Sequence, residues 1–280
     1  MMIIREPVVA GSFYNLEREM LKKQINYCFK HELGPKEIFP KKFKVAIVPH
    51  AGYEYSGPVA AWVYAKILKS NYILIGPNHT GIGSTFSLMK SGLWKTPLGE
   101  VLIDEEFTSK LLQNCKILEQ DVLPHKNEHS IEVQLPFLQF RYGSDFTFVP
   151  ICILNEFADE TLLEACRCIG EAIVKTIKTS KKDWIVLASS DFSHYLPYEL
   201  ASEIDSYLIN SILKLNVKEF FSRINERSAT VCGFGPIAVA MVVAKELKAK
   251  KSNLLKYATS GDLTGDLSSV VGYAGITLGD

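Results

Sequence analysis

Three short apolar runs, each ending at a residue that can do chemistry, constrain this chain most. In "KVAIVPHAGYEYSG", residues 44–57, the run Val45 to Val48 stops at Pro49 and His50 follows. "YILIGPNHTG" places His79 after a second run, and "WIVLASSDFSHY" places Asp191 and His194 after a third. None of the runs alternates apolar with polar residues, so each reads as a strand buried on both faces. Helical patterns separate them, and strands alternating with helices make an α/β sandwich around a mostly parallel sheet.

The remaining segments fill in that plan. Residues 15–31 read as an amphipathic helix capped by Asn15, with Leu16, Met20, Ile25 and Cys28 near one stripe. A helix is expected from Val59 to Leu68, and a hairpin region over 86–103 around "WKTPLGEV". Asp104 caps a helix to Gln113, and another helix starts near Ser130 with a kink at Pro136. "FTFVPICI" is a strand, and residues 159–178 form a long helix. Helices follow at 199–214 and 217–226, then one to Leu247 with Pro236 in its first turn. Two β segments, "LLKYATSG" and "SVVGYAGITL", close the chain and make the sheet mixed. No linker divides the sequence, so one domain over residues 1–280 is expected: a three-layer α/β/α sandwich.

Composition narrows the function classes. Lys plus Arg equals Asp plus Glu at 31 each, which argues against nucleic acid as a partner. "GFGPIAVAMVVA" is too short to span a bilayer and contains Gly and Pro, so no membrane association is expected. The start, "MMIIREPVVAGSFY", lacks a basic n-region and a long apolar h-region. Six cysteines without a C-x-x-C pair suit buried thiols in a cytoplasmic protein.

In open α/β sheets, sites form beyond the carboxyl ends of the strands. Parallel neighbouring strands would bring His50, His79, Asp191 and His194 to one rim. Taken singly, a loop histidine is usually solvated or bonded to backbone, but here three of six stand at strand ends. Neutral imidazole is a common ligand for iron, copper and zinc, and two imidazoles need a third, usually anionic, partner. Asp191 is one candidate. Cys232, in "TVCGFGPIAVAM", is the other, because the helix that follows would favour its thiolate; its bland reading is a small buried hydrophobe. In "PHKNEHSIEVQLP", His129 stands at an expected helix start, where helix capping explains Glu128 and Glu132; His125 reads as a loop residue. There is no P-loop, no dinucleotide fingerprint and no G-x-S-x-G elbow. The letters of Ser189, Ser190, Asp191 and His194 do not by themselves make a catalytic triad.

In order along the chain, "VPHAGYEYSGPVAA", "GPNHTG", "TPLGEV", "NEHSIEVQLPFL", "ASSDFSHY" and "CGFGPIAV" resemble the Memo family, from "AGSFY" nearly to the C-terminus. The resemblance implies the fold of the class III extradiol ring-cleaving dioxygenases. It also implies a metal pocket of His50, His79 and Cys232 holding iron or copper, with zinc also compatible. His194, Asp191 and His129 match positions that serve substrate binding and acid–base work in the ring-cleaving relatives. Implied partners are a radical-SAM protein and an AMMECR-type protein, the AmmeMemoRadiSam set, beside an unidentified small molecule or peptide. A cysteine where the dioxygenases carry a carboxylate separates their reaction from their fold. The leading expectation is a redox enzyme, an oxygenase or oxidase with His194 oriented by Asp191; the alternative is a metal-handling or peptide-binding module without turnover.

Overall fold

A computed structural model describes residues 2–279. The chain runs β1 (Ile4–Arg5), α1 (Arg18–Lys30), β2 (Val45–Val48), α2 (Gly57–Lys66), β3 (Asn71–Pro77), β4 (Phe86–Leu88), β5 (Leu93–Thr96), β6 (Gly99–Ile103) and α3 (Glu105–Asn114). It continues with β7 (Glu119–Gln120), α4 (Leu123–Lys126), α5 (Leu135–Tyr142), β8 (Thr147–Ile153), α6 (Glu160–Thr179), β9 (Trp184–Ser189) and β10 (His194–Leu196). Last come α7 (Tyr198–Leu213), α8 (Val217–Arg227), α9 (Phe234–Glu246), β11 (Ser252–Thr259), α10 (Gly261–Thr264) and β12 (Val270–Leu278).

The main path of the sheet is β1-β5-β6-β8-β3-β9-β2-β12-β10. From β6 to β2 every pairing is parallel. The two closing strands are antiparallel: β12 pairs β2 and also carries β11 and β10. The expected mixed, mostly parallel sheet is the observed one. The central strands β2, β3, β8 and β9 are buried almost throughout because successive side chains enter opposite layers. Val45 and Ile47 of β2 face one core with Ile73, Ile75, Val149, Ile151, Val186 and residues of α6 and α9. Ala46 and Val48 face the other with Tyr72, Leu74, Leu187 and residues of α1, α2 and α5. Two cores, one on each face of a single sheet, make the three layers.

Several boundaries shift for local reasons. Helix α1 begins at Arg18, because the Asn15 side chain accepts the Glu17 amide in its own turn (3.0 Å) and caps no helix. Helix α2 begins at Gly57, with Pro58 in its first turn, and ends at Lys66. The segment from Ser130 is a 3-10 turn (Glu132–Gln134) leading into α5. Pro136 occupies a first-turn position, where no backbone donor is needed, and produces no mid-helix kink. His125 is no loop residue: it lies in α4 and is fully buried. Asp104 caps α3 as expected, accepting from the Phe107 amide at 2.9 Å.

A histidine cleft at the carboxyl rim

Strands β3, β9 and β2 are consecutive neighbours, so His79, the 189–191 turn and His50 emerge side by side. The 128–130 segment crosses these strand ends. Ser130 Oγ donates to the Pro77 carbonyl at 2.9 Å, and the Ser189 hydroxyl donates to the Ser130 carbonyl at 2.6 Å. Gly76 makes that crossing possible, since a Cβ there would stand 2.4 Å from Ser130 Oγ. Gly233 plays the same part for the Cys232 turn: its Cβ would meet the Ser189 carbonyl oxygen at 2.5 Å.

His50, His79 and His129 each offer a ligand atom, all within 4.8 Å of one another. Their ring centroids are 5.2 Å (His50–His79), 5.4 Å (His50–His129) and 4.8 Å (His79–His129) apart, the last pair stacked. His50 forms the buried floor, His129 is half-buried and His79 is exposed, so the group opens to solvent. Phe13 packs on the His129 ring at 4.8 Å.

Two of the rings have defined tautomers. Ser189 Oγ spends its proton on a carbonyl and accepts from Gln134 Nε2 at 2.8 Å. Its 2.9 Å contact with His50 Nδ1 is therefore one in which the ring nitrogen donates. Glu128 Oε1 accepts from His79 Nδ1 at 2.9 Å, and its Oε2 from the His79 amide at 2.5 Å. In the neutral form of each ring Nε2 is then the nitrogen without a proton.

Cys232 Sγ lies 3.2 Å from His50 Nε2 and accepts from the Asp191 amide at 3.2 Å. Asp191 does not orient His194. Its Oδ1 accepts from the His50 amide at 2.8 Å, while His194 Nδ1 donates to the Thr230 carbonyl at 2.8 Å. The antiparallel β10–β12 pairing turns His194 toward Thr230, whose Oγ1 also accepts the His194 amide. His194 nevertheless stands close enough for its charge to act on both His50 and Asp191.

Electrostatics favours the neutral form of His50 and His129. Burial, then the charges of His129, His79 and His194, holds His50 well below the usual histidine range; burial also lowers His129. Burial raises Asp191 to about 6 against the His50 amide bond. Glu128 loses by burial too, but the hydrogen bond and charge of His79, with help from His129 and the Ser130 amide, bring it down to about 2. Cys232 departs from the sequence expectation. Burial, reinforced by Asp191, pushes its thiol up, and the start of α9 does not reverse this.

The sequence reading did not assign Glu128, Ser189 or Gln134 to the site. Glu128 is more than the helix-capping acid its position suggests: it accepts from His79, from the His129 amide (2.9 Å) and from the Ser130 amide (2.8 Å). The one local signal was an acid directly beside a histidine in "NEHS". Nothing local marks Ser189, whose partners lie 55 and 59 positions away (Gln134 and Ser130).

Fold and cleft together define a three-layer α/β protein with imidazoles gathered at the carboxyl rim of its parallel strands. The fold is consistent with an extradiol-dioxygenase-like α/β fold. The structure is similar to that of the uncharacterized protein JW3007 from Escherichia coli K12, with a TM-score of 0.53 over 84% of this chain and 100% of that one, at 12% identity. A family model described as Memo-like protein matches residues 5–277. MEMO1 family proteins of Methanopyrus kandleri (43% identical, covering 97% of this chain and 98% of that one) and Sulfolobus acidocaldarius (44%, covering 99% and 100%) are similar over nearly their whole length. The chain belongs to the Memo family. Among the described residues no helix is long and apolar enough to cross a membrane.

Proposed function

We propose that the cleft is a metal centre built on His50 and His79, serving a cytoplasmic redox protein that acts on a small molecule. The observation that carries this reading is the compact imidazole group, in which two rings have Nδ1 engaged by an acceptor, so that Nε2 is the ligating nitrogen of the neutral ring. Neutral, pre-oriented imidazoles need no deprotonation before they bind a metal. Cys232 supplies a third donor at contact distance from His50 Nε2, and His129 supplies another within the imidazole group. A thiolate shifts the set toward copper(I) or zinc, while the imidazoles also suit iron(II). When bound, the metal would supply a Lewis acid that polarises a ligand oxygen.

The chain's own residues then divide the remaining work. His194, with Nδ1 fixed on the Thr230 carbonyl, presents Nε2 as a proton acceptor. Asp191 holds the His50 backbone and is a second group able to carry a proton. His129, stacked on His79 and covered by Phe13, lines the wall where a substrate would lie. The radical-SAM and AMMECR-type partners belong to this proposal through the family alone.

Anaerobic reconstitution with iron(II) or copper(I) tests it. Wild type should take up one equivalent and the His50→Ala/His79→Ala protein none, by elemental analysis after desalting. A double variant with wild-type stoichiometry and affinity would place the metal elsewhere. Single Cys232→Ala and His129→Ala proteins then show which donor completes the set.

A further inference from the structure

We infer that Glu128 and Ser189 are positioning residues that set the tautomers of His79 and His50, and so decide which ring nitrogens face the cleft. The geometry assigns each a different chemistry for the same task. Glu128 is buried and can only accept; its carboxylate takes the His79 ring proton at Nδ1, the His79 amide, and the His129 and Ser130 amides. One side chain thus fixes the tautomer of His79 and the backbone that carries His129. Ser189 reaches the same end through proton accounting. A hydroxyl has one proton, and this one goes to the Ser130 carbonyl. Its lone pairs must then receive from Gln134 Nε2 and from His50 Nδ1.

Gln134 is itself held in one amide orientation, accepting from the Tyr64 hydroxyl at 2.5 Å and donating to the Pro49 carbonyl at 3.0 Å. The order Tyr64 to Gln134 to Ser189 to Ser130 leaves no freedom at His50. Partners behind a ligating histidine typically change metal affinity by about 10–100-fold when removed.

The inference rests on the metal reading for its affinity arm only. The tautomer arm uses metal-free protein. Long-range nitrogen–proton NMR of the histidine side chains should show the Nδ1–H form for His50 and His79 in wild type. Glu128→Met keeps the length of the side chain but removes both acceptor oxygens, which receive the His79 ring proton and the His79, His129 and Ser130 amides. It should shift His79 away from the Nδ1–H form, leave His50 unchanged, and weaken binding of zinc alone about 10–100-fold. Ser189→Ala should move His50 and spare His79. It is the milder change, because Gln134 Nε2 keeps the Pro49 carbonyl, and it decides the matter if Glu128→Met does not fold. A residue that only stabilised the fold would alter unfolding without moving a tautomer in one ring. Wild-type tautomers in the variants, or an Nε2–H form in wild type, would overturn the assignment. A wild type that binds no zinc, iron or copper but shows the expected tautomers would sink the metal reading and leave this one standing.

Discussion

At the scale of single residues, Cys232 shows how a local rule is overruled. A helix N-terminus lowers a thiol pKa in isolation, yet here burial and the neighbouring Asp191 raise it, and the sulfur sits at contact distance from an unprotonated His50 nitrogen. The metal-free protein should therefore react slowly with iodoacetamide at Cys232 near pH 7, more slowly than a short cysteine peptide, with the rate still climbing above the usual thiol range. Peptide mass spectrometry after timed quenching reads this directly. Rapid modification of Cys232 ahead of the other cysteines at pH 7 would contradict it. The strand-end histidines were legible because each is announced by its own apolar run. The partners that orient them were not, since Glu128 reaches His79 across 49 positions and Ser189 reaches His50 across 139. Short-range pattern carries no trace of such a pairing.

At the scale of elements, α7 supports the turn between β9 and β10 through one buried acid. Asp205 accepts from the Ser193 amide (3.0 Å), the Ser193 hydroxyl (2.6 Å) and the Tyr257 hydroxyl of β11 (2.8 Å). Burial nonetheless raises its pKa to about 6, the hydrogen bonds of Ser193 and Tyr257 only partly opposing this. A raised acid holds its proton longer in the folded than in the unfolded chain, so its contribution is full below about pH 4 and is lost as pH rises through about 6. Asp205→Asn removes that loss while keeping an acceptor for Ser193. The stability of the variant relative to wild type should rise by about 2–3 kcal/mol between pH 4 and 6 and stay level above. Urea unfolding at a series of pH values measures the difference, and a flat difference across that range would refute the assignment. Long elements, such as the amphipathic α6 and the uniformly apolar α9, lie within a residue or two of their sequence positions. The short pieces β1, β7 and β10 carry too few residues for a period, and only pairing with distant strands defines them.

At the scale of the whole molecule, the start of the chain is bolted to the cleft by a buried ion pair. The Arg5 guanidinium contacts Glu132, donates to the His125 and Glu128 carbonyls, and lies over the Trp94 ring at 4.3 Å. Glu132 in turn accepts the Val8 and Val9 amides and the Tyr14 hydroxyl. Removing one partner of a buried pair leaves the other charge stranded. Arg5→Ala should cost about 3–5 kcal/mol, whereas Asp145→Asn, which breaks the exposed pair with Lys69, should leave stability nearly unchanged. Chemical denaturation of the two variants compares them; equal effects would mean that the clamp carries little. The layered architecture was readable from the alternation of buried strands with helices, but this clamp was not, because "IIREP" has no period and its arginine finds its partner 127 positions away. The strand order has a consequence for how the cleft comes into being. Strand β12 lies beside β2, which delivers His50, and also pairs with β10, which begins at His194. During synthesis both histidines therefore leave the ribosome well before the strand that braces them exists, and any cation that reaches the nascent chain meets imidazoles not yet gathered into one mouth. Gathering of the imidazoles is thus set by the folding of β12 rather than by the order in which the residues are made.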